Sequence, residues 1–180
     1  MKYIFDFDDV LFFTSKKFIE YEYSVLAKAG ISPLDIQKYY QEIKTNNKTF
    51  SFKDMFEYLS IPQKFYLEIM SSCKNFVNED LIYLVKKIGK ENCFIVTYGD
   101  EDFQKEKIKY SDIEDVFSEI TVVQGSKKEA IEKICLKYKD EEVLFIDDKQ
   151  EHFDNLDMKK YPNLKTILYT GQDLKYALLP

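Results

Sequence analysis

The sequence predicts an α/β protein: a parallel five-stranded sheet between helices, with a small all-helical domain inserted early in the chain. Three observations carry this. Five short apolar runs, rich in Ile, Val, Phe and Leu, are spread along the 180 residues, and near-continuous apolar runs fit strands buried on both faces of a parallel sheet. Segments with helical spacing separate several of these runs, and strand–helix alternation implies parallel strands joined by right-handed crossovers. One gap is far longer than the dozen or so residues a crossover requires, and the excess reads as helical.

The expected strands, in order, are Tyr3–Phe7, Cys93–Thr97, Glu119–Val123, Val143–Asp147 and Lys165–Tyr169. Leu81, Leu84, Val85 and Ile88 form a helical stripe ahead of the second. Ala130, Ile131, Ile134 and Tyr138 form another ahead of the fourth, and a short helix over Glu151–Met158 precedes the fifth. These elements compose a Rossmann-like core from residues 1–13 and 79–180. Residues 14–78 form the insertion. Within it Phe18, Tyr21, Glu22, Val25 and Leu26 follow helical spacing, with Gly30 as the stop. Pro33 suits the first turn of a second helix through Tyr40 and Ile43. The polar stretch Thr45–Lys48 reads as a loop, and Phe52–Leu59 and Pro62–Met70 as two further helices.

Composition narrows the function classes. Hydrophobic residues make up 45% and charged residues 32%, the balance of a globular protein. A net charge of -6 gives no basic footprint for polymeric nucleic acid. No apolar run is long enough to span a bilayer, and the run after Lys2 is broken by Asp6, Asp8 and Asp9, which a signal-peptide core does not tolerate. Cys73, Cys93 and Cys135 lack metal-ligand spacing and are odd in number, so they read as free thiols in a reducing cytoplasm. We expect a cytoplasmic monomer or weak dimer without membrane partners.

Chemistry gathers at the ends of the strands. Asp6 and Asp8 flank one apolar residue at the carboxyl end of the first strand, where open α/β sheets bind ligands. Alternation would put both on one side of an extended chain. Close carboxylates repel unless a cation or proton is shared, and an oxygen-seeking ion such as magnesium resolves the conflict. Asp147 and Asp148 form a second pair at the end of the fourth strand. One of them as a helix cap explains one aspartate but not both. Thr97, Tyr98 and Gly99 end the second strand, where a hydroxyl and turn amides suit a phosphate oxygen, although Thr97 as a plain cap is the bland reading. Lys127 shares the inward stripe of Ala130, Ile131 and Ile134, whereas Lys128 reads as a solvated lysine. His152, the sole histidine, reads as a surface or capping residue.

Phe5-Asp6-Phe7-Asp8-Asp9-Val10-Leu11, Thr97, Lys127 and Asp147-Asp148, in this order and at these strand ends, resemble the four motifs of the haloacid dehalogenase superfamily. The insertion resembles that family's helical cap. The resemblance implies a strand order of 5-4-1-2-3 and a magnesium-dependent phosphatase of small phosphorylated metabolites. It implies Asp6 as nucleophile through an aspartyl-phosphate and Asp8 as acid, then base. Mg2+ would sit on Asp6, the Asp8 carbonyl and Asp148, with Asp147 as a further direct or indirect ligand. Thr97 and Lys127, with Tyr98 and Gly99, would hold the phosphate, and Lys48 of the cap is a candidate for a second anionic group. An acid at position 8 favours phosphoryl transfer over carbon–halogen hydrolysis. A phosphomutase shares every motif, and a non-catalytic phosphate-binding regulator is the alternative from another class.

Overall fold

The computed structural model describes residues 1–46 and 50–178. Its sheet comprises β1 (Lys2–Phe5), β2 (Cys93–Tyr98), β3 (Glu119–Val123), β4 (Val143–Asp147) and β5 (Leu164–Leu168). The order is β3-β2-β1-β4-β5 and every pairing is parallel, as expected. The inner strands β1, β2 and β4 are buried on both faces, which is why their sequences run apolar without alternation. The edge strands β3 and β5 are only partly buried. Side chains still alternate across the sheet: Phe5, Ile95 and Ile146 enter one core, while Ile4, Phe94, Val96 and Phe145 enter the other.

Between β1 and β2 the chain makes a short π-turn at Thr14–Phe18 and then α1 (Ile19–Lys28), α2 (Pro33–Thr45), α3 (Phe52–Tyr58) and α4 (Gln63–Ser71). Ser32 and Asp35 close a capping box around Pro33 at the start of α2. The chain returns to the sheet through α5 (Glu79–Ile88). Entry and exit are tied together: Phe13 N donates to Phe76 O at 2.8 Å and Asn78 N to Leu11 O at 2.8 Å. Asn78 Nδ2 also donates to Val10 O and to the Tyr169 hydroxyl, each at 3.0 Å.

The remaining helices are α6 (Glu101–Tyr110), α7 (Lys128–Lys137), α8 (Glu151–Asp154) and α9 (Lys175–Leu178). The helix expected over Glu151–Met158 thus stops at Asp154. Helix α6, not expected from periodicity, is capped by Asp100, whose Oδ1 accepts from Phe103 N at 2.9 Å. It is also the docking surface of the insertion. Phe103 stacks on Phe52 of α3 at 4.3 Å, the Tyr66 hydroxyl of α4 donates to Glu106, and Lys53 pairs with Glu106 at 3.0 Å. Among the described residues, no helix is long and apolar enough to cross a membrane.

Candidate active site

Strand β1 ends at Phe5, although Asp6 N still donates to Ile146 O at 2.9 Å. The chain then folds over itself: Leu11 N and Phe12 N both donate to Phe7 O at 3.0 Å, and Asp9 adopts a positive φ of 57°. Strand alternation therefore does not place Asp8 relative to Asp6; this turn does. Asp6 is 4% exposed, and its Oδ1 accepts from Phe7 N at 2.8 Å and meets Lys127 Nζ at 2.8 Å. Burial pushes its carboxyl up to about 7; Lys127 opposes the rise, and Asp147 and Asp8 add to it.

Lys127 stands at the N-cap position of α7 and is buried. Its ammonium bridges Asp6 Oδ1 and, at 2.7 Å, Asp147 Oδ2. The same Asp147 oxygen meets His152 Nδ1 at 2.8 Å, and Asp147 Oδ1 accepts from Lys149 N at 2.9 Å. Both oxygens of Asp147 are thus engaged in holding Lys127, His152 and the following turn. Ligand atoms of Asp6, Asp147 and His152 lie within 4.8 Å of one another. Because Lys127 already bonds both carboxylates, this is a filled ion-pair knot and not an open cation cradle. His152, expected as a surface or capping residue, is partly buried against Asp147. Lys128 faces solvent, 3.8 Å from Glu132.

Two other expected site residues carry open acceptors. Among the described residues, Thr97 Oγ1 and Asp148 Oδ1 are buried without a hydrogen-bond partner, a situation that costs about 1–3 kcal/mol per group. A bound ligand removes that cost. A phosphate oxygen suits the Thr97 hydroxyl, and a hard divalent cation suits the oxygens of Asp148 and Asp6. Burial raises the Asp148 carboxyl; Lys149 opposes this, and Asp147 and Asp9 add to it. Asp6 and Asp148 thus supply carboxylate oxygens of the kind magnesium prefers.

Tyr98 is half-exposed at the end of β2. The Gly99 N–H, expected to face a phosphate, donates instead to Val123 O at 3.0 Å across the sheet. Gly99 serves otherwise: at φ 147° it leaves room for Gln104, whose Nε2 would lie 2.9 Å from any added Cβ. Lys48 lies outside the described residues.

Asp8 is surrounded by residues that the sequence did not reveal. Its Oδ1 accepts from the Thr14 hydroxyl and meets Lys107 Nζ at 2.5 Å; its Oδ2 accepts from Gln104 Nε2 at 2.6 Å. Burial would raise its carboxyl, but the Lys107 charge and the hydrogen bonds from Lys107, Thr14 and Gln104 outweigh it and hold the group below the usual carboxylate value. Asp8 lines a cavity of about 300 Å³ together with Thr14, Tyr98, Gly99, Lys149 and Phe50 of the insertion. A neighbouring cavity of about 370 Å³ is lined by Asp9, Ser15, Tyr169 and Asp148.

No protein-family model matches the chain, and no curated protein matches it in sequence. Solved structures do match in fold. One is a hydrolase from Streptococcus pneumoniae, 20% identical, covering 98% of this chain and 97% of its own, with a TM-score of 0.60. A second, from Burkholderia xenovorans and classed as a haloacid dehalogenase-like hydrolase, is 19% identical over 99% of this chain and 84% of its own, with a TM-score of 0.64. A third, classed as a HAD-hydrolase from Bacillus subtilis and solved bound to magnesium, is 15% identical over 92% and 84% of the two chains, with a TM-score of 0.51. The protein has the haloacid dehalogenase-like fold.

Proposed function

We propose that the protein is a magnesium-dependent phosphatase of the haloacid dehalogenase superfamily that hydrolyses a small phosphorylated metabolite through Asp6. The observation that carries this reading is the bridge of Lys127 between Asp6 and Asp147, beside the open acceptors of Thr97 and Asp148. A nucleophilic carboxylate, a buried cation and an unsatisfied hydroxyl at adjacent strand ends make a set suited to an in-line attack on phosphorus.

In this reading Asp6 supplies the attacking oxygen and becomes the aspartyl-phosphate. Lys127 and Thr97 hold the equatorial oxygens, where transition-state charge is spread. Asp147 keeps the Lys127 ammonium turned towards Asp6. Asp6, Asp148 and the Asp8 carbonyl would hold magnesium, which would neutralise charge between nucleophile and phosphate. Asp8 donates a proton to the leaving oxygen and later takes one from the hydrolytic water. Residues 14–78 act as a cap: Phe50 lines the same cavity as Asp8, and a cavity of about 300 Å³ suits a small ligand.

The test is turnover of an aryl phosphate with magnesium, repeated with a chelator and with Asp6→Asn. Magnesium-dependent release of phenolate, abolished in the variant, supports the reading. Turnover that survives Asp6→Asn removes Asp6 from the chemistry.

A further inference from the structure

Helix α6 carries a lysine in a place where lysines are rare. Lys107 is 2% exposed. Four aromatic rings surround its ammonium: Phe12 at 5.0 Å, Phe7 and Phe103 at 5.2 Å and Phe18 at 5.5 Å from the ring centroids. These are cation–π distances, and the rings come from three separate parts of the chain: the turn after β1, the entrance to the insertion, and α6 itself. Among the described residues, the one carboxylate within ion-pair reach is Asp8, at 2.5 Å. A buried ammonium is costly unless it is paired. The aromatic cage and Asp8 together offset that cost, so the position of each group fixes that of the other.

We propose that Lys107 is the positioning residue for Asp8, locking its carboxylate in the one orientation from which it takes a proton from the hydrolytic water. This inference rests on the phosphatase reading above. The geometry is a three-point clamp. Lys107 and the Thr14 hydroxyl hold Oδ1, and Gln104 holds Oδ2. The Thr14 and Gln104 contacts are short-range hydrogen bonds, and only Lys107 adds a full charge. Gln104 is itself fixed by a second bond to Tyr98 O at 3.1 Å. Lys107 Nζ is sealed by rings, whereas the Asp8 side chain keeps 24% exposure towards the cavity. The clamp thus grips Asp8 from behind and leaves its open side to the substrate. A carboxylate must lie within hydrogen-bond reach of the attacking water to take its proton, so one released to rotate loses part of the roughly hundred- to ten-thousand-fold that such help is worth.

The experiment compares Lys107→Met with the wild-type protein on an alkyl and an aryl phosphate. Methionine has the length of the lysine stem and suits an aromatic cage. We expect kcat to fall at least about tenfold on both esters, with KM falling alongside it, and rapid-quench kinetics with the aryl ester to show a burst of phenolate before slow turnover, because attack by water on the intermediate is the step that is slowed. Adding Lys107→Met to Asp8→Asn should lower kcat no further, because the lysine acts through Asp8. A Lys107→Met protein with wild-type kcat overturns the inference, as does a further loss in the double variant. A wild-type crystal structure with Lys107 Nζ beyond about 4 Å from Asp8 overturns it whether or not the variants fold. Failure of the phosphatase reading shows differently: the wild-type protein itself then lacks magnesium-dependent turnover.

Discussion

The ammonium of Lys127 lies 2.8 Å from Oδ1 of Asp6, and neither side chain is more than 5% exposed. With Asp147 on the other side of the lysine, two buried carboxylates share one cation. The knot is one negative charge in excess when His152 is neutral, and that excess adds to burial, the larger cause, in making Asp6 costly to ionise.

The first prediction follows from that cost. The Asp6 carboxyl is raised from its ordinary 3.8 to about 7. Between these values the folded chain keeps a proton that the unfolded chain has lost, so the stability Asp6 contributes is present below about pH 4 and lost as pH rises through about 7. Asp6→Asn has no charge to bury. With a chelator present, its melting temperature should exceed that of the wild type by several degrees at pH 8 (roughly 2–4 °C per kcal/mol for a chain of this size), and the gap should close towards pH 4. A gap of equal size at both pH values would contradict the shift.

The second prediction concerns the metal. Magnesium that binds only the folded chain stabilises it by about 2.7 kcal/mol at a hundredfold excess over its dissociation constant. Calorimetry should therefore show a rise in melting temperature of at least about 5 °C with saturating magnesium. The rise should vanish in Asp148→Asn, whose Oδ1 is the open buried acceptor. An unchanged magnesium response in the variant would remove Asp148 from the metal site.

The third contrasts two neighbours. On the proposed mechanism, Lys127→Ala removes the charge that faces Asp6 and the transferring phosphoryl group, and kcat should fall by about a hundred- to a thousandfold. Lys128→Ala removes an exposed lysine 3.8 Å from Glu132 and should leave kcat unchanged. Steady-state kinetics with one aryl phosphate decides the matter; equal effects in the two variants would refute the assignment.

The fourth uses a glycine. Gly99→Ala forces a side chain onto φ 147° and drives a Cβ to 2.9 Å from Gln104 Nε2, so it should cost about 1–3 kcal/mol in urea unfolding. Because Gln104 holds Asp8, kcat should fall as well. Gly125→Ala, with nothing within 4 Å of the new Cβ, is the control and should be near neutral in both measurements. A neutral Gly99→Ala would mean that Gln104 yields without consequence.

The sheet was legible because the inner strands are apolar on both faces, and the residues at their carboxyl ends stood out against that background. Asp6, Thr97, Lys127, Asp147 and Asp148 could all be picked out as strand-end or helix-start exceptions. Helix α6 could not, because its inward residues include Lys107 and Gln104 beside Ile108, and a buried lysine erases the apolar stripe that periodicity looks for. Nothing local marks the end of β1: Phe5-Asp6-Phe7-Asp8 continues a strand-like alternation, and the turn depends on Phe12 stacking on Phe7 at 5.0 Å. The use of the Gly99 amide depends on its neighbour β3, and the role of His152 on a contact with Asp147 across the next turn. The first is a tertiary fact that a local pattern does not encode; the second spans only five residues, but no periodicity marks it.

The central strand also sets the order in which the molecule can assemble. β1 precedes both of its hydrogen-bonding neighbours along the chain, and they begin only at Cys93 and Val143. The intervening helices can form from nearby contacts, while β1 must wait for partners far along the chain. Loop-closure entropy grows only with the logarithm of length, so this separation affects timing far more than final stability. Until Val143 and its followers emerge, one edge of Lys2–Phe5 lacks a partner and presents an apolar backbone edge of the kind that recruits other chains. The segment that leads into Asp6 is thus made well before its partners and is among the last enclosed, which makes the nascent chain, more than the finished one, the form most exposed to aggregation.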